Sequence, residues 1–315
     1  MRLLGAPLTR GRRYLTAYLM VGPAMLVLAL YVFIPLAYTA WVSFQDVHLG
    51  VLPFMGAAGA NAGHVSPNTQ TTSIYFGLRN WRSLLEHDQL FRVAVRNTLV
   101  MVGGACALGT FGALAAALVG SARLPFMGLF RTVYFFPAAI SQVVTGLIFL
   151  WLFDQNFGLV NHFLGIVGLG PYPWQDDARY LLLSLTLAAA WLTASYNLPI
   201  FAAALRNVPT ARREAAALDG AGDLALFRYI TLPALRPVTL FVIISSAASI
   251  SQMLGLYDSL AQDSLGSVTL VKYMFERAFS YNDLDYAGAI GCLMIAGLSL
   301  LAVPRLLLAE WREDR

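Results

Sequence analysis

Between residues 206 and 236, a chain that otherwise avoids charge gathers Arg212, Arg213, Glu214 and Asp219 around three successive alanines, Ala215, Ala216 and Ala217, and follows them with Gly220. The chemistry open to such a set is docking rather than bond-making. Three alanines give a helix a low profile, so its backbone can sit deep in a groove while flanking guanidinium and carboxylate groups close charge-assisted hydrogen bonds. Pro209 suits a first helical turn and Gly220 is the residue expected just past a helix end. This predicts a short helix over 209–219, then a turn and a second piece stopped by Pro233.

A second set consists of polar residues inside apolar runs. Ser245, Ser249 and Gln252 recur at i, i+4 and i+7; Ser141, Gln142 and Thr145 cluster; Thr193 and Asn197 stand at i and i+4, with Trp191 and Tyr196 nearby. Hydrogen-bonding groups in a bilayer face another helix or a cavity, so these stripes predict either interhelical bonds or a shared polar path. A polar solute on such a path would need amide or carboxylate partners for its hydrogen-bonding groups and aromatic rings for its apolar faces. The candidates are Gln142, Tyr196, Asn197, Gln252, Tyr257 and Asp258, with Tyr196 and Asn197 just before Pro199, where a proline frees backbone groups.

Other chemistries lack their parts. The single lysine, Lys272, lies between Val271 and Tyr273, so there is no Gly-Lys-Ser/Thr phosphate loop. His48, His64, His87 and His162 form no HExxH pair, and there is no G-x-S-x-G elbow. Cys106 and Cys292 both fall in expected helices, so neither a disulfide nor a metal site is inferred. The chain therefore reads as neither an enzyme nor an ATP binder, and its energy source belongs to a partner.

The elements that position these residues follow from composition, with 58% of the 315 residues hydrophobic and 12% charged. Six uncharged apolar stretches, 14–45, 97–122, 132–153, 180–205, 237–257 and 286–304, each approach the roughly 20 residues a spanning helix needs. The expected fold is an all-α integral membrane protein with six transmembrane helices. Residues 47–78 read as loop, and the apolar part of 155–175 is too short to span, which suits a re-entrant or interfacial segment. Fourteen of the 21 basic residues fall on one side in this arrangement and 11 of the 17 acids on the other. By the positive-inside tendency both termini are cytoplasmic. The net charge of +4 then reflects cytoplasmic arginines, not nucleic-acid binding. The basic start and long apolar run at the N-terminus read as an uncleaved first helix rather than a signal peptide. In the second stretch Gly112, Ala116 and Gly120 form a small-xxx-small packing face.

Glu214, Ala215, Ala216, Gly220, Ile230, Leu232 and Pro233 stand at spacings that closely resemble the EAA loop in permease subunits of bacterial binding-protein-dependent ABC importers. Residues 76–100, 134–164 and 270–290 also look like the carbohydrate-type branch, which handles maltose, trehalose, glycerol phosphate and similar solutes. That branch often carries a Thr-Gly-Gly-Gly-Pro-like turn where this chain has LAQDSLGS, 260–267. The resemblance implies a first helix and cytoplasmic N-terminus over 1–45, an extracytoplasmic loop over 46–90, a five-helix permease core over 91–310 and a cytoplasmic tail over 311–315. It further implies that Arg213, Glu214, Ala215, Ala216, Ala217, Asp219 and Gly220 form a coupling helix seated in a separate ATP-binding subunit, which would hold ATP and magnesium. A second homologous permease and an extracytoplasmic solute-binding protein would complete the machine. A non-sugar cargo, such as a polyamine or a metal-anion complex, is the near alternative. An ion-coupled secondary transporter would need ionisable residues in its spans, and the six stretches hold none. A non-transporting membrane scaffold is the remaining rival.

Overall fold

The computed structural model describes residues 10–46, 75–121, 127–260 and 265–313. Most of the loop expected over 46–90, residues 261–264 of the LAQDSLGS segment and both chain ends lie outside the described residues. The chain divides into two compact units, residues 1–87 with 277–293, and residues 88–276 with 294–315. Among the described residues the elements are helical apart from one ribbon of two-residue strands, and five helices are long and apolar enough to cross a membrane.

In the first unit, α1 (Arg10–Leu28) and α2 (Ile34–Ser43) join through a π-helical turn into one apolar helix. A short antiparallel ribbon follows, β1 (Gln45–Asp46) with β2 (Tyr75–Phe76), and then α3 (Arg79–Arg82). Asn80 ties this unit together, its Nδ2 donating to the Gln45 carbonyl at 2.7 Å and to Asp285 Oδ2 at 3.1 Å. Arg277 pairs with Asp283 at 3.5 Å and lies 4.9 Å from the Tyr286 ring centroid.

Burial, a hydrogen bond to Asp285 and that residue's charge push the Asp283 carboxyl up to about 6 from the ordinary 3.8, against the pull of Arg277. A folded pKa above the unfolded one means that the folded unit binds the proton more tightly. The stabilisation is complete below about pH 4 and is lost as pH rises through about 6. Asp283→Asn is expected to flatten the pH dependence of thermal unfolding across that window. An unchanged profile between pH 4.5 and 7 counts against the shared proton.

The second unit holds α4 (Gln89–Ser121), α5 (Met127–Phe135), α6 (Gln142–Leu152), α7 (Leu159–Ile166), α8 (Ala178–Arg206), α9 (Thr210–Leu218), α10 (Asp223–Leu226), α11 (Leu232–Ser251), α12 (Leu254–Leu260) and α13 (Leu270–Phe275). The last helix, α14 (Leu284–Glu313), begins in the first unit and continues into the second. Starts are capped where the sequence offers an oxygen: Asp88 Oδ1 accepts from Phe91 N–H at 2.9 Å, Asp177 Oδ1 from Arg179 N–H at 2.8 Å and Ser141 Oγ from Val144 N–H at 3.3 Å.

Helix α8 is the centre, with 72% of its apolar window buried. Its nearest partner is α4, and the approach is closest at Gly104 and Gly109. A β-carbon at Gly109 would lie 2.8 Å from Thr193 Cβ and 3.1 Å from the Ala190 carbonyl. The Gly112 face is looser, with Tyr134 and Ala194 at 3.4 and 3.5 Å from a β-carbon there. Gly109→Val is therefore expected to cost about 1–3 kcal/mol through overpacking that Thr193, itself buried, has no room to relieve. Gly103→Ala, where nothing lies within 4 Å, is the matched control and should be neutral or slightly stabilising in unfolding measurements. Equal stability of the two variants would argue against a tight α4–α8 contact.

The expected spans need two corrections. The stretch 132–153 is not one straight helix: it bends by 109° between the segments 128–139 and 142–152. Ile140 is extended at φ −94 and ψ 140, and Ser141 caps a fresh helix beyond it. The fifth span starts well before 237, running Asp223–Ser251, because Pro233 does not stop the helix. A π-helical turn over Phe227–Thr231 precedes it, with Leu232 N–H reaching back to the Phe227 carbonyl, so the widened turn accommodates the ring. That span ends earlier than expected, at a break over Gln252–Met253.

Residues 155–175 contain only the eight-residue α7, too short to cross. Asn161 uses its whole amide to shape this loop, donating to the Gln155 and Tyr172 carbonyls and accepting from Tyr172 N–H and Trp174 Nε1.

Candidate coupling helix and polar path

Helix α9 realises the short helix expected over 209–219, with Pro209 one step outside as its N-cap. Its far end is a Schellman turn. Ala221 N–H donates to the Ala216 carbonyl at 2.9 Å and Gly220 N–H to the Ala217 carbonyl at 3.1 Å. Gly220 has φ +85, and a β-carbon there would meet nothing within 4 Å. Glycine is needed here for the hand of the backbone, not for room. Arg213, Glu214, Ala215, Ala217, Asp219 and Gly220 are exposed and Ala216 is half-buried. Nine residues form no stable helix in water alone, so α9 depends on its cap and its neighbours.

The polar stripes fare differently from one another. Asn197 Nδ2 donates to Ser246 Oγ at 2.8 Å, joining α8 to α11, and both residues are buried. Thr145, Ser195 and Ser245 turn their hydroxyls back onto carbonyls four residues earlier in their own helices. Tyr257 is fully buried and its hydroxyl donates to the Ile250 carbonyl. Gln252 lies in the break after α11, exposed, with Nε2 donating to the Ala248 carbonyl at 3.2 Å. Gln142, Tyr196 and Asp258 are exposed.

Around Gly255 the structure brings two candidates together. A β-carbon on Gly255 would sit 3.6 Å from Gln142 Cβ, and Asp258 follows one turn along the same helix, α12. Nearby, a methyl at Gly146 would overlap Ser259 and come within 3.1 Å of the Leu256 carbonyl, so α6 and α12 pack backbone to backbone. Asn197 and Tyr257 do not join this exposed patch, because each is buried with its polar group engaged by protein.

Comparison with known proteins decides what such an arrangement belongs to. The profile of a family described as the binding-protein-dependent transport system inner membrane component matches residues 109–313. The chain belongs to this family. It is 30% identical over 240 residues to the arabinooligosaccharides transport system permease protein AraP of Halalkalibacterium halodurans, covering 74% of this chain and 75% of that one. It is 26% identical over 302 residues to the sn-glycerol-3-phosphate transport system permease protein UgpA of Pectobacterium atrosepticum, covering 90% and 91%. Its fold matches a bacterial ABC transporter involved in the import of the acidic polysaccharide alginate, with TM-score 0.74 at 17% identity over 95% of this chain and 96% of that chain. It is thus a multi-pass membrane component of a transport system, not a catalytic subunit.

For a permease of this family the structure adds two features that composition hid. Leu218, the last residue of α9, is 90% exposed, and Leu224 is 79% exposed just beyond the turn. Both are apolar side chains left open beside charged neighbours. A single leucine between Ala217 and Asp219 gives no signal of that in the sequence. Secondly, residues of α4, α5, α8, α9 and the α10 segment line an open hollow of about 830 Å³, with Arg206, Arg213 and Asp223 in its wall.

Proposed function

We propose that this chain is one of two membrane subunits forming the path by which a binding-protein-dependent importer carries a sugar or sugar-like solute, with α9 seated in an ATP-hydrolysing partner. The observation that carries the reading is α9 itself: an exposed, Schellman-terminated helix bearing Glu214, Ala215, Ala216 and Gly220 at the EAA spacing, between two membrane-crossing helices. ATP and magnesium are assigned to the partner, and an extracytoplasmic binding protein delivers the solute. The carbohydrate assignment is supported by the cargo named for its relatives, arabinooligosaccharides among them. The exposed Gln142, Tyr196, Gln252 and Asp258 suit a hydroxylated solute in chemistry. In this reading both termini and residues 206–236 face the cytoplasm, while 46–90 and 259–284 face outward.

Two measurements test it. In the reconstituted complex, solute with its binding protein is expected to stimulate ATP hydrolysis for a sugar and not for a polyamine; the reverse result overturns the cargo. Asn68→Cys and Asp223→Cys should be labelled from opposite sides by an impermeant reagent, and labelling from one side would sink the orientation.

A further inference from the structure

The cavity beside α9 stands where two membrane-crossing helices end, because Arg206 is the last residue of the span Ala178–Arg206 and Asp223 the first of the span Asp223–Ser251. One wall is apolar, with Ala117, Leu198, Ala202 and Phe227; Arg206 and Asp223 stand at the ends of the two spans, and Arg213 lies on α9 between them. Among the described residues, Arg206, Arg213 and Asp223 are exposed and form no ion pair with one another. Two guanidinium groups and one carboxylate therefore line a hollow whose other described lining is mostly apolar, with Thr231 among it.

That combination sorts the occupants by chemistry. A small polar anion would satisfy the arginines and leave the apolar wall uncovered. A plain hydrocarbon chain would fill the wall and make no use of the three charges. A phosphodiester with a primary ammonium and an acyl chain matches every part: phosphate to the two arginines, which favour planar, forked recognition of phosphate oxygens; ammonium to Asp223; the first acyl carbons to the alanine, leucine and phenylalanine wall. Basic pockets between transmembrane helices on the cytoplasmic side are suited to lipid headgroups. A volume of about 830 Å³ lies in the range of small-molecule sites and admits a headgroup with the start of one chain.

We propose that this cavity is a binding site for an aminophospholipid of the phosphatidylethanolamine type, placed to join the end of α8 to α9 and α10. The lipid spans the same residues that carry the coupling helix, so its occupancy sets how stiffly α9 follows α8. Assignment to the inner leaflet rests on the orientation proposed above; the site itself does not.

The test is lipid retention by the whole complex, reconstituted with equal parts phosphatidylethanolamine, phosphatidylcholine and phosphatidylglycerol, then extracted in mild detergent and weighed by native mass spectrometry. Phosphatidylethanolamine is expected to be retained about tenfold over phosphatidylcholine, whose methylated ammonium offers no N–H to Asp223. Arg206→Gln should lower that retention about tenfold, the size of one lost charge-assisted bond. Ala202→Phe, which fills the hollow, should lower it likewise, with assembly checked by co-purification of the partner subunits. Asp223→Asn should remove the preference between the two zwitterionic lipids. Equal retention of all three lipids, or unchanged retention in Arg206→Gln and Ala202→Phe, overturns the proposal. So does displacement by millimolar glycerophosphoethanolamine or inorganic phosphate, which would make the site one for a soluble phosphoester. Labelling of Asp223→Cys from outside would move the site to the other leaflet and leave the retention result readable.

Discussion

Gly220→Val is expected to give a protein that inserts normally but no longer raises ATP hydrolysis when solute is supplied. The cause is local. Gly220 sits at φ +85, a region a β-branched residue enters at a cost of about 1–3 kcal/mol, and the Schellman turn at Ala216, Ala217 and Ala221 depends on it. A nine-residue helix has no reserve to absorb that cost, so the last turn of α9 frays. Leu218 is in that turn. If its exposed side chain is what the partner covers, its burial is worth about 1.5–3 kcal/mol, and misplacing it lowers affinity by about tenfold or more. Co-purification of the ATPase subunit should fall by at least that factor. Gly220→Asn should be much milder, because asparagine visits the left-handed region more readily. Normal uptake by Gly220→Val would remove this segment from the mechanism.

The coupling segment was legible because its signals are local. Pro209, the alanine run and Gly220 each act through their own backbone, and neighbours in space were not required to read them. Spans were legible for the same reason: a charge-free run of sufficient length has few alternatives to crossing. What was not legible depends on partners. The bend at Ile140 and Ser141 lies inside an uncharged stretch, so no charge marked it. Pro233 looked like a stop because the π-turn that accommodates it is a property of the five residues before it, none of them distinctive. The Gly112 stripe has the textual period of a packing face, yet the tightest contacts fall at Gly104 and Gly109, which only the facing Thr186 and Thr193 reveal. Serine and threonine hydroxyls in spans are ambiguous for a related reason. A carbonyl one turn back is always within reach, and Thr145, Ser195 and Ser245 take it.

The same distinction reorders the solute-path candidates and gives the second large effect: Asp258→Ala is expected to cut uptake at least tenfold with assembly intact. Asp258 is exposed on α12, one turn from Gly255, where Gln142 of α6 packs, so a carboxylate and an amide border one accessible patch. A carboxylate accepting from a sugar hydroxyl makes a charge-assisted bond worth about 1.5–3 kcal/mol, which is one to two decades in affinity. Gln142→Ala should reduce uptake less, as the loss of a neutral bond. Gln252 keeps its carbonyl oxygen available while its amide is engaged by Ala248, and it belongs with this pair in effect. Asn197→Ala should register chiefly as stability, about 1–3 kcal/mol, because it strips the buried Ser246 hydroxyl of its donor at a helix–helix contact. Tyr257→Phe should leave uptake unchanged and cost about 1 kcal/mol, since its hydroxyl is spent on Ile250. Uptake and unfolding measured on the same four variants separate path from packing. If Asp258→Ala and Gln142→Ala transport normally in a complex whose second permease has lost its own polar residues, the exposed patch is not the path. If Asn197→Ala instead abolishes uptake at unchanged stability, the α8–α11 contact opens during transport and the path runs between those helices.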